Sequence, residues 1–442
     1  MSLQKPRVIF INRFFFPDHS ATSQMLSDLA FSLAEQGYSI TVITSQQRYD
    51  DATARLCSRE RVNGVEVVRI WTSRFGRSNL FGRSFDYLSF YLSAALSLLK
   101  RIKRGDVVVS KTDPPMLSLI STPLCHLRGA KAVNWLQDLF PEVADALGVG
   151  HGRLARGSYG VMKKLRNASL RSSQHNIAIG EQMASRLRGL GIQPNQISTL
   201  PNWADGQIVQ PVPPEENALR AAWGLTDSFV VAYSGNLGRA HEIATILSAM
   251  KWLQAHTASD ETHAHPKIRW LFIGAGALMT SLQEAVLEAG LTNVMFQPYQ
   301  PRELMSQSLS VGDVHLVSLR PELEGLIVPS KYYGIAAAGR PTIFIGDLEG
   351  EIARLLAQTQ AGVAVACGDG CGLANAIINY RDDTDKRRAA GANARAAFES
   401  QYDLPAVLQK WDQLLVALMT EQSDRASQAT GHAPAPFSVR KL

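Results

Sequence analysis

Apolar residues along this chain gather in short unbroken runs, and the stretches between the runs carry apolar positions at helical spacing. That alternation predicts strands joined by helices, an α/β architecture with parallel sheets. In the first half the runs place strands at Arg7 to Ile11, Ser39 to Thr44, Val65 to Trp71, Asp106 to Lys111, Lys131 to Gln137 and Asn176 to Ile179. In the second half they place strands at Phe229 to Ser234, Ile268 to Ile273, Val294 to Gln297, Val314 to Ser318, Thr342 to Ile345 and Gly362 to Ala366. Gln207 to Glu216 lies between the two sets. Three prolines and two glutamates crowd its segment Gln210-Pro211-Val-Pro213-Pro214-Glu215-Glu216, which reads as a linker. Two doubly wound domains follow, because 442 residues exceed one ordinary core.

Composition supports two packed cores: 45% of residues are hydrophobic and 19% charged, which excludes a disordered chain. Cys57, Cys125, Cys367 and Cys371 are scattered, with neither zinc-ligand spacing nor a disulfide framework, so a reducing cytoplasm is expected. A strand begins almost at once, with no basic leader ahead of it, and export is not expected. Charge is uneven. Residues 1–205 hold 26 Lys and Arg against 15 Asp and Glu; residues 206–442 hold 19 against 24. The basic half suits an anionic partner: a nucleic acid, a membrane surface or a diphosphate-bearing acceptor.

Ligands of doubly wound sheets collect beyond the carboxyl ends of strands, so the loops there carry the candidate chemistry. After Phe229 to Ser234 comes Gly235-Asn236-Leu-Gly238-Arg239-Ala-His241, where glycines permit close backbone approach and Arg239 offers fixed charge. His241 reads as a polar cap or packing residue. After Ile268 to Ile273 comes Gly274-Ala-Gly276. After Val314 to Ser318 comes Glu322-Leu-Glu324-Gly325-Leu-Ile-Val-Pro329-Ser-Lys331, an acidic turn joined to a helix expected near Pro329. Free amides at that helix start and Lys331 would attract a phosphate.

The order of these loops, and the run from Glu322 through Gly339-Arg340-Pro341, resembles the donor domain of retaining glycosyltransferases of family 4, which have the two-domain GT-B fold. The resemblance spans the second half and extends to enzymes of bacterial exopolysaccharide, O-antigen and colanic acid synthesis. It implies two Rossmann-like domains facing across a cleft: an acceptor domain, 1–205, and a donor domain, 206–398. A helix over 399–420 would cross back to the first domain, ahead of a disordered tail, 421–442. It implies a nucleotide-sugar donor, UDP-linked, and a lipid-diphosphate-linked glycan acceptor, with retention of configuration, no metal, no other cofactor and no nucleic acid. Glu324 would orient the sugar, with Gly235, Asn236, Arg239, Gly274 and Lys331 around the diphosphate. The family's second glutamate falls at Tyr332, which leaves Glu351 as the candidate for the ribose. Asn236 stands where relatives carry an arginine. A GT-B nucleotide-sugar epimerase and a catalytically idle nucleotide-sugar-binding subunit remain alternatives.

In the first half, His19, Ser20 and Thr22 replace the glycine-rich turn of relatives and are the acceptor-side candidates; Ser-Ala-Thr-Ser is also an ordinary helix cap. Asp138 resembles the carboxylate beneath the donor's anomeric carbon, which would stabilise an oxocarbenium-like transition state. It would equally cap a helix starting at Pro141. Arg74, Arg77 and Arg83 precede the apolar run Phe85 to Leu99, and Lys100-Arg101-Ile-Lys103-Arg104 follows it. That pattern suits an interfacial helix on the inner face of a membrane, or a core helix of the sheet.

Overall fold

The computed structural model describes residues 5–18, 20–49, 51, 53–75, 80–149, 153–257 and 265–430; at 80–81, 153–156 and 420–430 it describes the backbone path alone. One sheet contains β1 (Arg7–Ile11), β2 (Ser39–Ser45), β3 (Arg59–Val62), β4 (Val65–Ile70), β5 (Val107–Ser110), β6 (Lys131–Leu136), β7 (His175–Ala178) and β8 (Ile197–Thr199), in the order β3-β4-β2-β1-β5-β6-β7-β8. The other contains β9 (Ser228–Ser234), β10 (Lys267–Ile273), β11 (Val294–Gln297), β12 (Val314–Ser318), β13 (Thr342–Gly346) and β14 (Gly362–Ala366), ordered β11-β10-β9-β12-β13-β14. The expected α/β class with two parallel-sheet domains is the observed one.

Hydrophobic runs located every strand except β3 and β8. Strand β3 reads Arg-Glu-Arg-Val and pairs antiparallel with β4 at a sheet edge, so it has no apolar run to announce it. The turn between them is Asn63-Gly64, both at positive φ, the pair that such a two-residue hairpin favours.

Contacts divide the chain into two compact units: Met1–Asn134 with Ser172–Gln174 and Leu408–Leu442, and Trp135–Arg171 with His175–Val407. In the first unit, helix α1 (Ala21–Glu35) follows β1, and helix α2 (Leu80–Arg101) precedes β5. Phe90, Ala94 and Leu98, one stripe of α2, pack on Ile9, Ile11, Ile43 and Val108 of the sheet. The C-terminal helix Leu404–Thr430 runs past Met419, where its apolar pattern stops. Its Trp411 lies against Phe10 with ring centroids 6.4 Å apart, and Asp412 accepts a 2.7 Å bond from Tyr38. Of the expected tail, 431–442 lies outside the described residues.

In the second unit, Phe229, Val231, Tyr233, Trp270, Phe272, Val314, Leu316 and Ile343 form a buried core beneath helix α4 (Ala244–Thr257), with helix α3 (Glu181–Gly189) earlier in the same unit. These strands are buried on both faces and therefore read as continuous rather than alternating apolar runs. The linker is fastened here: Ser306 and Ser310 hydroxyls each accept a 3.0 Å bond, from the amides of Gln210 and Val212. From β9 the chain builds outward through β10 and β11, then returns to place β12 on the other side of β9. A crevice opens at such a reversal, between the carboxyl ends of β9 and β12. Helices α5 (Lys331–Ala337) and α6 (Glu351–Thr359) follow β12 and β13.

Candidate functional site

Two glycines bring the loops around this reversal into contact. Gly235, at φ 120°, passes so close to Lys331 that a Cβ on it would lie 2.8 Å from the lysine Cε. A Cβ on Gly274 would lie 2.5 Å from the Gly235 carbonyl oxygen. Both positions need the left-handed freedom and the small size of glycine. Arg239 and Asn236 stand exposed on the same loop. The expected helix start at Pro329 moves to Lys331, and α5 is only seven residues long, so the positive charge here comes from the Lys331 side chain.

Lys331 is tied to His241. Its Nζ lies 3.0 Å from His241 Nε2, and His241 Nδ1 lies 2.6 Å from the Ser318 carbonyl oxygen. A carbonyl only accepts, so Nδ1 carries the proton and Nε2 offers its lone pair to the ammonium. Burial pushes Lys331 down to about 8; burial, then the Lys331 charge, push His241 down to about 4. The expected cap or packing residue is therefore a neutral partner of the lysine.

The backbones of the two candidate catalytic residues meet at one residue. Ile327 bridges the backbone of Asp138 on one side and that of Glu324 on the other, and Leu139 donates its amide to Leu326 at 3.0 Å. Glu324 is 8% exposed, and its Oε1 accepts the amide of Glu351, the first residue of α6, at 2.8 Å. Burial raises its pKa, that amide pulls it back, and the Glu351 carboxylate adds to the rise. Glu351 in turn accepts the Gln182 amide at 2.9 Å, so its carboxylate sits on the first turn of α3. Arg186 of α3 grips the Glu324 carbonyl with Nε at 2.9 Å and Nη2 at 2.6 Å. Gln182 and Arg186 carried no signal in the sequence, being remote from the turn they hold. Tyr332, where the family's second glutamate would fall, is fully buried against Tyr333 and Tyr402 and takes no place in the site.

In the first unit, Ser20 precedes α1 and donates its amide to the Asp18 carboxylate at 2.8 Å. The Thr22 carbonyl accepts from Lys111 at 3.0 Å, and burial pushes that lysine down to about 7. His19 and Arg77 lie outside the described residues. Helix α2 resolves the choice between core and surface by serving both. Asp86, which interrupts the apolar run, turns inward to Arg13 at 3.4 Å and accepts from the Ser73 hydroxyl at 2.7 Å. The opposite face exposes Phe85, Leu88, Leu92 and Leu96, beside Phe75. Arg74 and Arg83 at one end, and Lys100, Lys103 and Arg104 at the other, are exposed. Among the described residues no helix is long and apolar enough to cross a membrane, and no group of three or more His, Cys, Asp or Glu could hold a metal ion.

Residues 21–203 match the glycosyl transferase 4-like domain. A probable glycosyltransferase, WbjE of Pseudomonas aeruginosa, is 28% identical, covering 79% of this chain and 84% of that protein. The putative colanic acid biosynthesis glycosyl transferase WcaI of Escherichia coli K12 is 25% identical over 79% of this chain and 86% of its own length. Among solved structures, Anabaena HepE in complex with UDP and glucose superposes with a TM-score of 0.67 at 15% identity, covering 93% of this chain and all of that one.

Proposed function

We propose that this chain, a glycosyltransferase with the GT-B fold and of the family 4 type, takes a UDP-linked sugar and passes it, with retention, to a lipid-diphosphate-linked glycan in cell-surface polysaccharide synthesis. The observation that carries this reading is the convergence in one unit of Asp138 and Glu324 on Ile327, with Lys331 over the Gly235 turn. The naming of WcaI for colanic acid biosynthesis supports the pathway class, and the complex of HepE with UDP and glucose supports the donor class.

In this reading Lys331 and Arg239 hold the donor diphosphate, and the Glu324 carboxylate, fixed by the α6 amide, accepts hydrogen bonds from the sugar hydroxyls. The bond from the sugar C1 to the diphosphate oxygen breaks, and its electron pair leaves with UDP. The acceptor hydroxyl oxygen bonds to C1 on the same face, and its proton passes to the departing phosphate oxygen. Asp138 stabilises the positive charge that develops at C1, and the cations stabilise the leaving diphosphate, so the reaction runs without a metal. Glu351, already on the α3 amide, keeps acceptor capacity for the donor ribose. Ser20 and Thr22 belong to the acceptor side.

The exposed apolar face of α2, flanked by basic residues, would seat the enzyme on the cytoplasmic surface of an anionic membrane, where a lipid-linked acceptor resides. A panel of nucleotide sugars incubated with the enzyme and native membranes tests the reading. A glycolipid product with the donor's anomeric configuration is expected. Release of an epimerised free sugar nucleotide, or donor binding with no turnover on any lipid extract, would overturn it.

A further inference from the structure

His241 has no charge to offer a diphosphate, yet the structure holds it firmly in place. Its Nδ1–H is committed to the Ser318 carbonyl at 2.6 Å, its ring stands edge-on to Tyr233 with centroids 5.8 Å apart, and its Nε2 receives Lys331 at 3.0 Å. The strand that ends at Ser318 therefore fixes the imidazole, and the imidazole fixes the ammonium. Lys331 also lies 5.3 Å from the centre of the Tyr233 ring and against the Gly235 turn. A lysine ammonium has three protons, and one is taken by His241. The other two remain for ligand oxygens, with their direction set by the bond to His241.

We infer that His241 is a positioning residue for the donor diphosphate, holding the Lys331 ammonium over the Gly235 turn so that its remaining protons meet the phosphate oxygens. The inference rests on the donor reading above. A neutral imidazole suits this task better than a carboxylate, which would fix the ammonium equally well but cancel the charge that attracts the phosphate. A second lysine at position 241 would repel the first. The outcome is a phosphate site whose cation stands beside an aromatic ring and a neutral acceptor, the two side chains that face it.

Calorimetric UDP affinity decides the matter through a double-mutant cycle of His241→Ala and Lys331→Ala, with thermal melting as the check on folding. Alone, His241→Ala should weaken UDP roughly tenfold, the scale of one well-made charge-assisted hydrogen bond. In the Lys331→Ala background it should add almost nothing, and His241→Gln, which keeps an acceptor, should restore most of the affinity. Equal losses from His241→Ala in both backgrounds would overturn the positioning role. A second measurement does not need that variant to fold. Between about pH 7.5 and 8.5 the terminal phosphate of UDP is fully ionised and its uracil imide keeps its proton, so across that window parent affinity should fall as Lys331, at about 8, loses its proton, whereas Lys331→Arg should hold its affinity. A flat profile in the parent would also overturn the inference. Failure of the parent to bind UDP at any pH would instead sink the donor reading itself.

Discussion

Replacing Leu88, Leu92 and Leu96 of α2 together by glutamine tests whether the exposed face of that helix meets lipid. The three leucines are 53%, 61% and 60% exposed, which amounts to about 1.7 fully exposed side chains. Burying one leucine side chain contributes about 1.5 to 3 kcal/mol, so the trio offers a bilayer roughly 2.6 to 5 kcal/mol. At 1.4 kcal/mol per tenfold, the triple variant should bind anionic vesicles roughly seventyfold to a few thousandfold more weakly. Glutamine is a good helix former, and these positions contribute little to the core that Phe90, Ala94 and Leu98 build. Melting temperature should therefore stay close to that of the parent, as should UDP affinity. Flotation with anionic vesicles at low salt provides the assay, with neutral vesicles as the comparison. A companion variant replacing Arg74, Arg77 and Arg83 by glutamine should lose about 1 kcal/mol per charge, and that loss alone should fade with salt. Parent-like flotation of the leucine triple variant would refute the assignment of this face to lipid.

Glu324→Gln keeps an oxygen for the α6 amide, so the enzyme should fold normally yet lose most turnover; parent-like transfer with an authentic donor would remove Glu324 from catalysis. Arg239→Ala and Lys331→Ala should each weaken UDP binding by about tenfold to a hundredfold, read by calorimetry, and unaltered affinity in both would take them out of the diphosphate site. His315 is fully buried on β12 with its Nε2 at 2.7 Å from the Leu309 carbonyl oxygen, and burial pushes it down to about 4. Below its unfolded pKa of about 6.5 the unfolded chain takes up a proton that the folded chain refuses, so stability should fall as pH drops from 6.5 towards 4. Denaturant titrations should show His315→Gln losing up to about 1.4 kcal/mol per pH unit of that slope, and an unchanged slope would contradict the assignment.

Local pattern was enough for much of this protein. A strand buried on both faces must be largely apolar, so β9, β12 and β13 announced themselves, and the Pro-rich segment after Gln207 marked the passage between the two sheets. The loops at the strand ends could be named for the same reason, because glycines and charges stand out against such runs. Strand β3 went unseen since an edge strand needs no apolar residues, although Asn63-Gly64 was a legible hairpin signal. What spacing could not reveal was partnership. Asp138 and Glu324 meet through Ile327, and Arg186 and Gln182 hold a turn and a helix start far away in the chain, because the sheet order brings strand ends together without regard to sequence distance. His241 looked like a packing residue until its lone pair was found facing Lys331, and only the fold shows that Asp86, within an apolar run, faces Arg13. Hydrogen bonds and ion pairs act only over a few ångströms, so which groups use them is decided where the backbone turns back on itself, in the tertiary structure.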